Sequence, residues 1–217
     1  MNRIKTAMLT VGMAALAFVP WASAAELADI PLPSPRMDGG MPLMQALKER
    51  HSTRAFSSKA LPDQVLADLL WAAFGINRPD TGRRTAPSAR NWQEVDVFAV
   101  TENGAYLYDA KANVLRAVAA GDLRKLAGLQ EFVGTAPLNL VFVADSARMT
   151  GSSPEDQALY AGADVGFIGQ NVYLFCASEG LATVVRGMVD RAALAKALGL
   201  SDNKKIILAQ TVGYPAE

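Results

Sequence analysis

The decapeptide KERHSTRAFS, residues 48–57, brings Arg50, His51, Ser52 and Arg54 within five positions and contains the chain's single histidine. Two guanidiniums and a hydroxyl at that spacing suit a phosphate. Each guanidinium forks onto two oxygens, and hydroxyl and backbone N–H groups complete the shell. A solvated basic turn explains the same string, and on these residues alone both readings stay open. Scarcity narrows the other chemistries. One Cys and one His leave too few ligands for a zinc site. His51 has only Glu49 as an acid at short range, which disfavours a Ser-His or Cys-His hydrolase. Cys176 lies in the apolar helical run VYLFCASEG and reads as a buried packing residue without a disulfide partner. Neither G-x-G-x-x-G nor G-x-x-x-x-G-K-[ST] occurs; GADVGFIG comes nearest and has neither spacing.

The elements that must position these residues can be read from periodicity. MPLMQALKER reads as a helix with Pro42 in its first turn. In LPDQVLADLLWAAFGIN, Leu66, Leu69, Leu70 and Ala73 recur at helical spacing. RPDTGRRTAPSARNWQ is a loop by composition. VDVFAVT alternates as a strand, AYLYDAKANVLRAV reads as a hairpin, DLRKLAGLQ as a helix and LNLVFVAD as a buried strand. The longest element, from Pro154 to Glu179, would span roughly 40 Å as a helix. Its composition is almost wholly apolar or small, which predicts burial on most sides, while Asp156, Asp164 and Glu179 argue against a membrane span. Gly162 and Gly166, four apart, would let another helix come close. ATVVRGMV follows as a strand, DRAALAKALGL as a helix capped by Asp190, and KIILAQTVGYP as a last strand. Helices and strands interleave without a βαβ repeat, which predicts an α+β class.

A chain of 217 residues that is 51% hydrophobic, with formal net charge +0, suits one globular domain and offers no electrostatic reason to bind nucleic acid. Residues 1–24 read as a secretory signal peptide: MNRIK is basic, AMLTVGMAALAFV is a short apolar run, and Ala22-Ser23-Ala24 forms an A-x-A site. The run is shorter than the ~20 residues that span a bilayer, so cleavage is expected in place of a stable membrane span. The expectation is a periplasmic or secreted protein, with an extended lead-in over 25–40 and the folded domain over 41–217.

Four stretches in order carry a more specific message: KERHSTRAFS, then APSARNWQ at 86–93, NVYLFCASEGLATVVRG at 171–187 and ILAQTVGYP at 207–215. Together they resemble the FMN-dependent nitroreductase family and its signature R-H/R-S-x-R, P-S-x-x-N-x-Q, G-L, G, V-G-Y/H-P. The resemblance runs from about Leu43 to Pro215, and RTAPSA with GAYLYDA looks closest to the SagB-like dehydrogenase branch. It implies a nitroreductase-like α+β fold: a central, mostly antiparallel sheet flanked by helices, with the long helix buried at a dimer interface.

The resemblance also implies a site. Arg50 and Arg54 would hold the FMN phosphate, with His51 and Ser52 nearby. Pro87, Ser88 and Asn91 match a loop that reaches the flavin of the other subunit in a homodimer, with Ala89 standing where many members have a second Ser. Gln93 completes that motif and would hold the loop together. Arg186 and Gly187 match the segment whose backbone N–H approaches flavin N5. The family often has Glu-Gly there, so Arg186 would alter the potential or the charge offered to a substrate. Family members commonly continue past the position of VGYPAE with an arm that adds a basic residue near the phosphate; Arg83 or Arg84 would substitute. FMN itself carries the hydride, so no catalytic side chain and no metal are expected. The donor would be NAD(P)H or another reductant, and the acceptor a small nitro or quinone compound. The alternatives are a SagB-like azoline dehydrogenase and a flavin-binding protein without turnover.

Overall fold

The computed structural model describes residues 27–216; the expected signal peptide lies outside them. Seven strands form one wholly antiparallel sheet, in which every neighbouring pair is antiparallel. In chain order they are β1 (Ile30–Pro31), β4 (Val95–Val100), β5 (Gly104–Asp109), β6 (Val114–Ala120), β7 (Leu138–Asp145), β8 (Ala182–Arg186) and β9 (Lys204–Gly213). Across the sheet the order is β1-β6-β5-β4-β7-β9-β8. The helices are α1 (Leu43–Glu49), α2 (Asp63–Phe74), α3 (Pro154–Ser178) and α4 (Arg191–Ala197). The α+β fold expected from the sequence is therefore the one observed. The lead-in before α1 contributes β1, an edge strand pairing Ile30 with Leu115.

Strand period two sorts the core onto the two faces of the sheet. From β7, Leu138, Leu140 and Phe142 join a cluster with Leu69 and Leu70 of α2 and Ile168 and Val172 of α3. Val141 and Val143 point the other way, to a cluster with Leu194 of α4 and Val133. β7 is covered on both faces, which is why LNLVFVAD is apolar from Leu140 to Ala144 and does not alternate.

α3 starts where Ser153 accepts a hydrogen bond from the Asp156 N–H, with Pro154 behind it and Glu155 in the first turn. It stops at Gly180, whose φ of +67° suits a residue without Cβ. Within one chain it is not buried on most sides, contrary to the expectation from composition. Val165, Ile168, Val172 and Cys176 face the core, while Leu159 is 65% exposed and Phe167 48%. Gly162 and Gly166 lie on the same open side, with no other side chain or backbone within 4 Å of where a Cβ would stand.

Two further expectations are corrected. DLRKLAGLQ forms only a 3-10 turn over Arg124–Leu126. The chain must bend after it, because the Ala127 carbonyl accepts from Arg186 and a Cβ on Gly128 would lie 1.9 Å from that guanidinium. RPDTGRRT is not an irregular loop but a two-stranded ribbon, β2 (Ile76–Arg78) with β3 (Arg83–Arg84). Among the described residues no helix is long and apolar enough to cross a membrane.

Candidate active site

α1 ends at Glu49, and the chain leaves Arg50 in an extended conformation that stitches it to the sheet. The Thr53 N–H donates to the Thr183 carbonyl at 2.9 Å, and the Ser57 N–H to the Tyr214 carbonyl at 2.9 Å. Tyr173 of α3 organises the middle of the stretch. Its hydroxyl accepts from the Val185 N–H at 3.0 Å and lies 2.8 Å from Ser52 Oγ. The Arg50 guanidinium sits 5.2 Å from the Tyr173 ring centroid, a cation–π contact worth about 0.5–1 kcal/mol at an exposed site. His51 is exposed and its Nδ1 donates to the Glu49 carbonyl at 2.7 Å, a local contact. Among the described ion pairs neither Arg50 nor Arg54 has a carboxylate partner. Both guanidiniums keep N–H groups free for an anion.

The same hydrogen bonds tie this stretch to β8, which ends at Arg186 and delivers Gly187. A Cβ on Gly187 would meet only Leu208 Cδ2, at 3.8 Å, so the backbone there is open to approach. The Arg186 side chain does not share that opening. It is 5% exposed and turns into the interior, donating to Thr211 Oγ1, the Ala127 carbonyl and Asn139 Oδ1 at 2.8–3.0 Å. No carboxylate faces it, and desolvation lowers its pKa to about 10. The expectation that Arg186 adds charge for a substrate is corrected: the guanidinium is a brace beneath Gly187.

Pro87, Ser88, Ala89 and Asn91 lie elsewhere, on a loop strained at three points. Arg90, Asn91 and Gln93 have φ of 50°, 56° and 48°, and each non-glycine left-handed residue costs roughly 1–2 kcal/mol. Dense bonding holds the shape. Ser88 Oγ accepts from the Gln93 N–H and donates to Glu94 Oε2. Gln93 donates to the Gly82 carbonyl and Asn91 Oδ1 and accepts from Arg84 Nε. The Ala89 N–H donates to Asp164 Oδ2 of α3 at 2.8 Å, so the position lacking a second Ser hydroxyl is anchored by its backbone.

Beneath the loop Glu94 and Asp164 are both buried, at 0% and 2% exposure. Burial first, and then the neighbouring Asp164 charge, raise the Glu94 pKa. Among the described residues Glu94 Oε1 finds no donor. Two adjacent buried carboxylates do not both ionise cheaply, so Glu94 holds its proton to higher pH than an exposed carboxyl would.

One chain does not bring the two groups together. Ala89 docks at Asp164 and Ser52 at Tyr173, nine residues further along α3 and so about 14 Å along its axis. His51 and Tyr173 line one recess, of about 180 Å³, and Pro87, Ser88 and Asn91 line another, of about 410 Å³. Tyr173, Glu94 and Asp164 escaped the sequence reading. Asp164 carried a signal, since a charge on the apolar face of a helix needs a buried partner.

Comparison with known proteins fits this geometry. The family model described as the nitroreductase family matches residues 47–214. The chain belongs to the nitroreductase family. As a nitroreductase-family oxidoreductase it is 30% identical over 155 residues to a Methanocaldococcus jannaschii protein named a putative nitroreductase, covering 67% of this chain and 78% of that one. A solved structure of a putative nitroreductase from Ralstonia eutropha JMP134 matches with TM-score 0.84 and 43% identity, over 90% of this chain and 93% of the other. The NADPH:FMN oxidoreductase of Vibrio harveyi, solved with NAD+, shares the fold at TM-score 0.59 and 23% identity, over 81% and 69%.

Proposed function

We propose that this nitroreductase-family member is an FMN-dependent oxidoreductase. The reading has hydride pass from NAD(P)H or another donor to a small organic acceptor, a nitro or quinone compound. The observation that carries it is the pair of unpaired guanidiniums, Arg50 and Arg54, with Ser52 tied through Tyr173 to the strand that ends at the open backbone of Gly187. That donor set fits a flavin phosphate and ribityl chain, and the opening over Gly187 fits a flat ring.

In this reading Arg50, Ser52 and Arg54 would bind the phosphate, and the Gly187 backbone would border the ring. FMN, when bound, supplies the hydride chemistry. The protein holds position and excludes water. Pro87, Ser88, Ala89 and Asn91 would contact the flavin of a second copy, since the two groups stand apart in one chain. The exposed α3 stripe of Leu159, Gly162, Gly166 and Phe167 supports a homodimer. RTAPSA and GAYLYDA support the alternative, a SagB-like dehydrogenase in which an azoline in a peptide would give its hydride to the flavin and become an azole.

Arg50→Ala tests the reading. It should weaken FMN by about tenfold to a hundredfold while sparing riboflavin, which lacks the phosphate. Refolding Arg50→Ala together with Asn91→Ala should restore part of the binding, because one pocket of a mixed dimer carries neither lesion. Equal losses for the two flavins would remove the phosphate assignment, and no recovery in proven mixed dimers would remove the shared site. Export is part of the proposal. Protein recovered from outside the cytoplasm should lack residues 1–24 by intact mass, and full-length chain confined to the cytosol would refute it.

A further inference from the structure

The ribbon β2–β3 and the loop after it enclose a recess that shares Pro87, Ser88 and Asn91 with the proposed flavin contacts, and whose arginines that reading gives no role. About 410 Å³ in volume, it is lined by Arg78, Arg83, Arg84 and Arg90, and no Asp or Glu lines it. Among the described ion pairs none includes any of these four. Among the described residues Arg36, Arg116, Arg124 and Arg148 each pair with an Asp, and Arg50, Arg54 and Arg186 do not; what sets these four apart is that they gather in one recess.

Their roles differ. Arg84 is committed to structure: Nε donates to Gln93 and Nη1 to the Phe74 carbonyl, and the guanidinium lies 4.5 Å over the Phe74 ring. Desolvation lowers its pKa. It is thereby set aside as the free phosphate cation expected from the sequence. Arg78 is oriented by bonds to Asn77 Oδ1 and the Arg84 carbonyl. Arg83 and Arg90 are exposed, and Arg90 rests 5.2 Å from the Trp92 ring centroid. The left-handed backbone at Arg90, held from below by Asp164 through Ala89, keeps that residue at the recess. Strain maintained by this much bonding is characteristic of functional loops.

We propose that this recess binds a phosphate or pyrophosphate group through Arg83 and Arg90, with Arg78 supporting. Guanidiniums gathered without a counter-charge repel one another and draw in anions. A carboxylate would offset one charge; a phosphate or pyrophosphate offsets two or more and offers oxygens to several forks at once. Two sources share that chemistry: the phosphate of a flavin held by a second copy, and the pyrophosphate of a dinucleotide donor. The choice of those sources rests on the flavoprotein reading; the anion site itself does not.

Calorimetric titration of the full chain with FMN, riboflavin and ADP-ribose separates the cases. ADP-ribose carries the donor's pyrophosphate without its nicotinamide. Arg83→Ser and Arg90→Ser alter exposed side chains, and thermal melting checks their folding. A loss of about tenfold or more for FMN but not riboflavin assigns the recess to the flavin phosphate. The same loss for ADP-ribose alone assigns it to the donor. In either case Arg83→Lys should recover part of the affinity and added salt should weaken the wild type. If neither ligand responds to either substitution, the proposal is overturned. ADP-ribose binding that needs Arg83 in a protein that binds no flavin would refute the flavoprotein reading and leave the anion site standing.

Discussion

The buried pair beneath the loop makes stability depend on pH in a direction opposite to that of an ordinary ion-paired carboxylate. Burial and then Asp164 raise the Glu94 pKa above the usual 4.5, so the folded chain holds that proton to higher pH than the unfolded chain does. The unfolded chain releases that proton near 4.5. Below that value both states are protonated and the contribution of the pair is complete. As pH climbs towards the folded-state value the unfolded state binds fewer protons, so stability falls by about 1.4 kcal/mol per pH unit, and levels off beyond it.

Glu94→Gln should flatten this slope. Its amide oxygen can still accept from Ser88 and its NH2 can still donate to Asp164, so the variant should match the parent near pH 4.5 and exceed it in stability as pH rises above that. Asp164→Ala is the contrasting lesion. It leaves the half-buried Ala89 N–H without its 2.8 Å acceptor, at a cost of about 1–3 kcal/mol. Urea melts across this pH range measure both, with the slope m compared to exclude a change in the unfolded state. Parallel stability curves for the parent and Glu94→Gln would refute the raised pKa of Glu94. A cost below about 0.5 kcal/mol for Asp164→Ala would show that the anchor is not needed.

Arg186→Met should destabilise the chain by about 1–3 kcal/mol, since it strands the Ala127 carbonyl in the interior while Thr211 Oγ1 still donates to Asn139 Oδ1; a chemical denaturation cost below about 0.5 kcal/mol would exclude the brace. Tyr173→Phe should cost about 1–2 kcal/mol by the same measurement, leaving the Val185 N–H unpaired. Unchanged stability would mean that water replaces the hydroxyl.

Much of the fold was legible because its signals are local. The apolar run LNLVFVAD, the Asp190 cap and the Leu66–Leu69–Leu70 spacing each state an element without reference to the rest. The failures share a cause. DLRKLAGLQ has helical composition, but a guanidinium from 59 residues away takes the Ala127 carbonyl and occupies the space beside Gly128. Nothing in nine residues encodes that. The composition of α3 predicts burial on most sides, yet composition does not say which chain does the covering. Motif order brought Arg50, Ser52, Ser88, Asn91 and Gly187 into view. The groups that position them did not stand out: Tyr173 and Asp164 are single letters in a long helix, and Glu94 sits one residue before a strand.

The division between buried and exposed charge gives the arrangement its logic. Burying an ionisable group costs several kcal/mol unless its geometry is well satisfied. The cases set out above lie directly behind backbone that the family motifs mark. Arg186 stands behind Gly187, and Glu94 with Asp164 stands behind Ser88 and Ala89. Each fixes main chain through bonds that an apolar side chain could not make. The free guanidiniums, Arg50, Arg54, Arg83 and Arg90, stay at the surface, where solvation is retained until an anion arrives. An apolar replacement of a buried group should therefore act on loop geometry and reach binding only through it. Replacement of a surface arginine should act on anion affinity and leave the fold as it is.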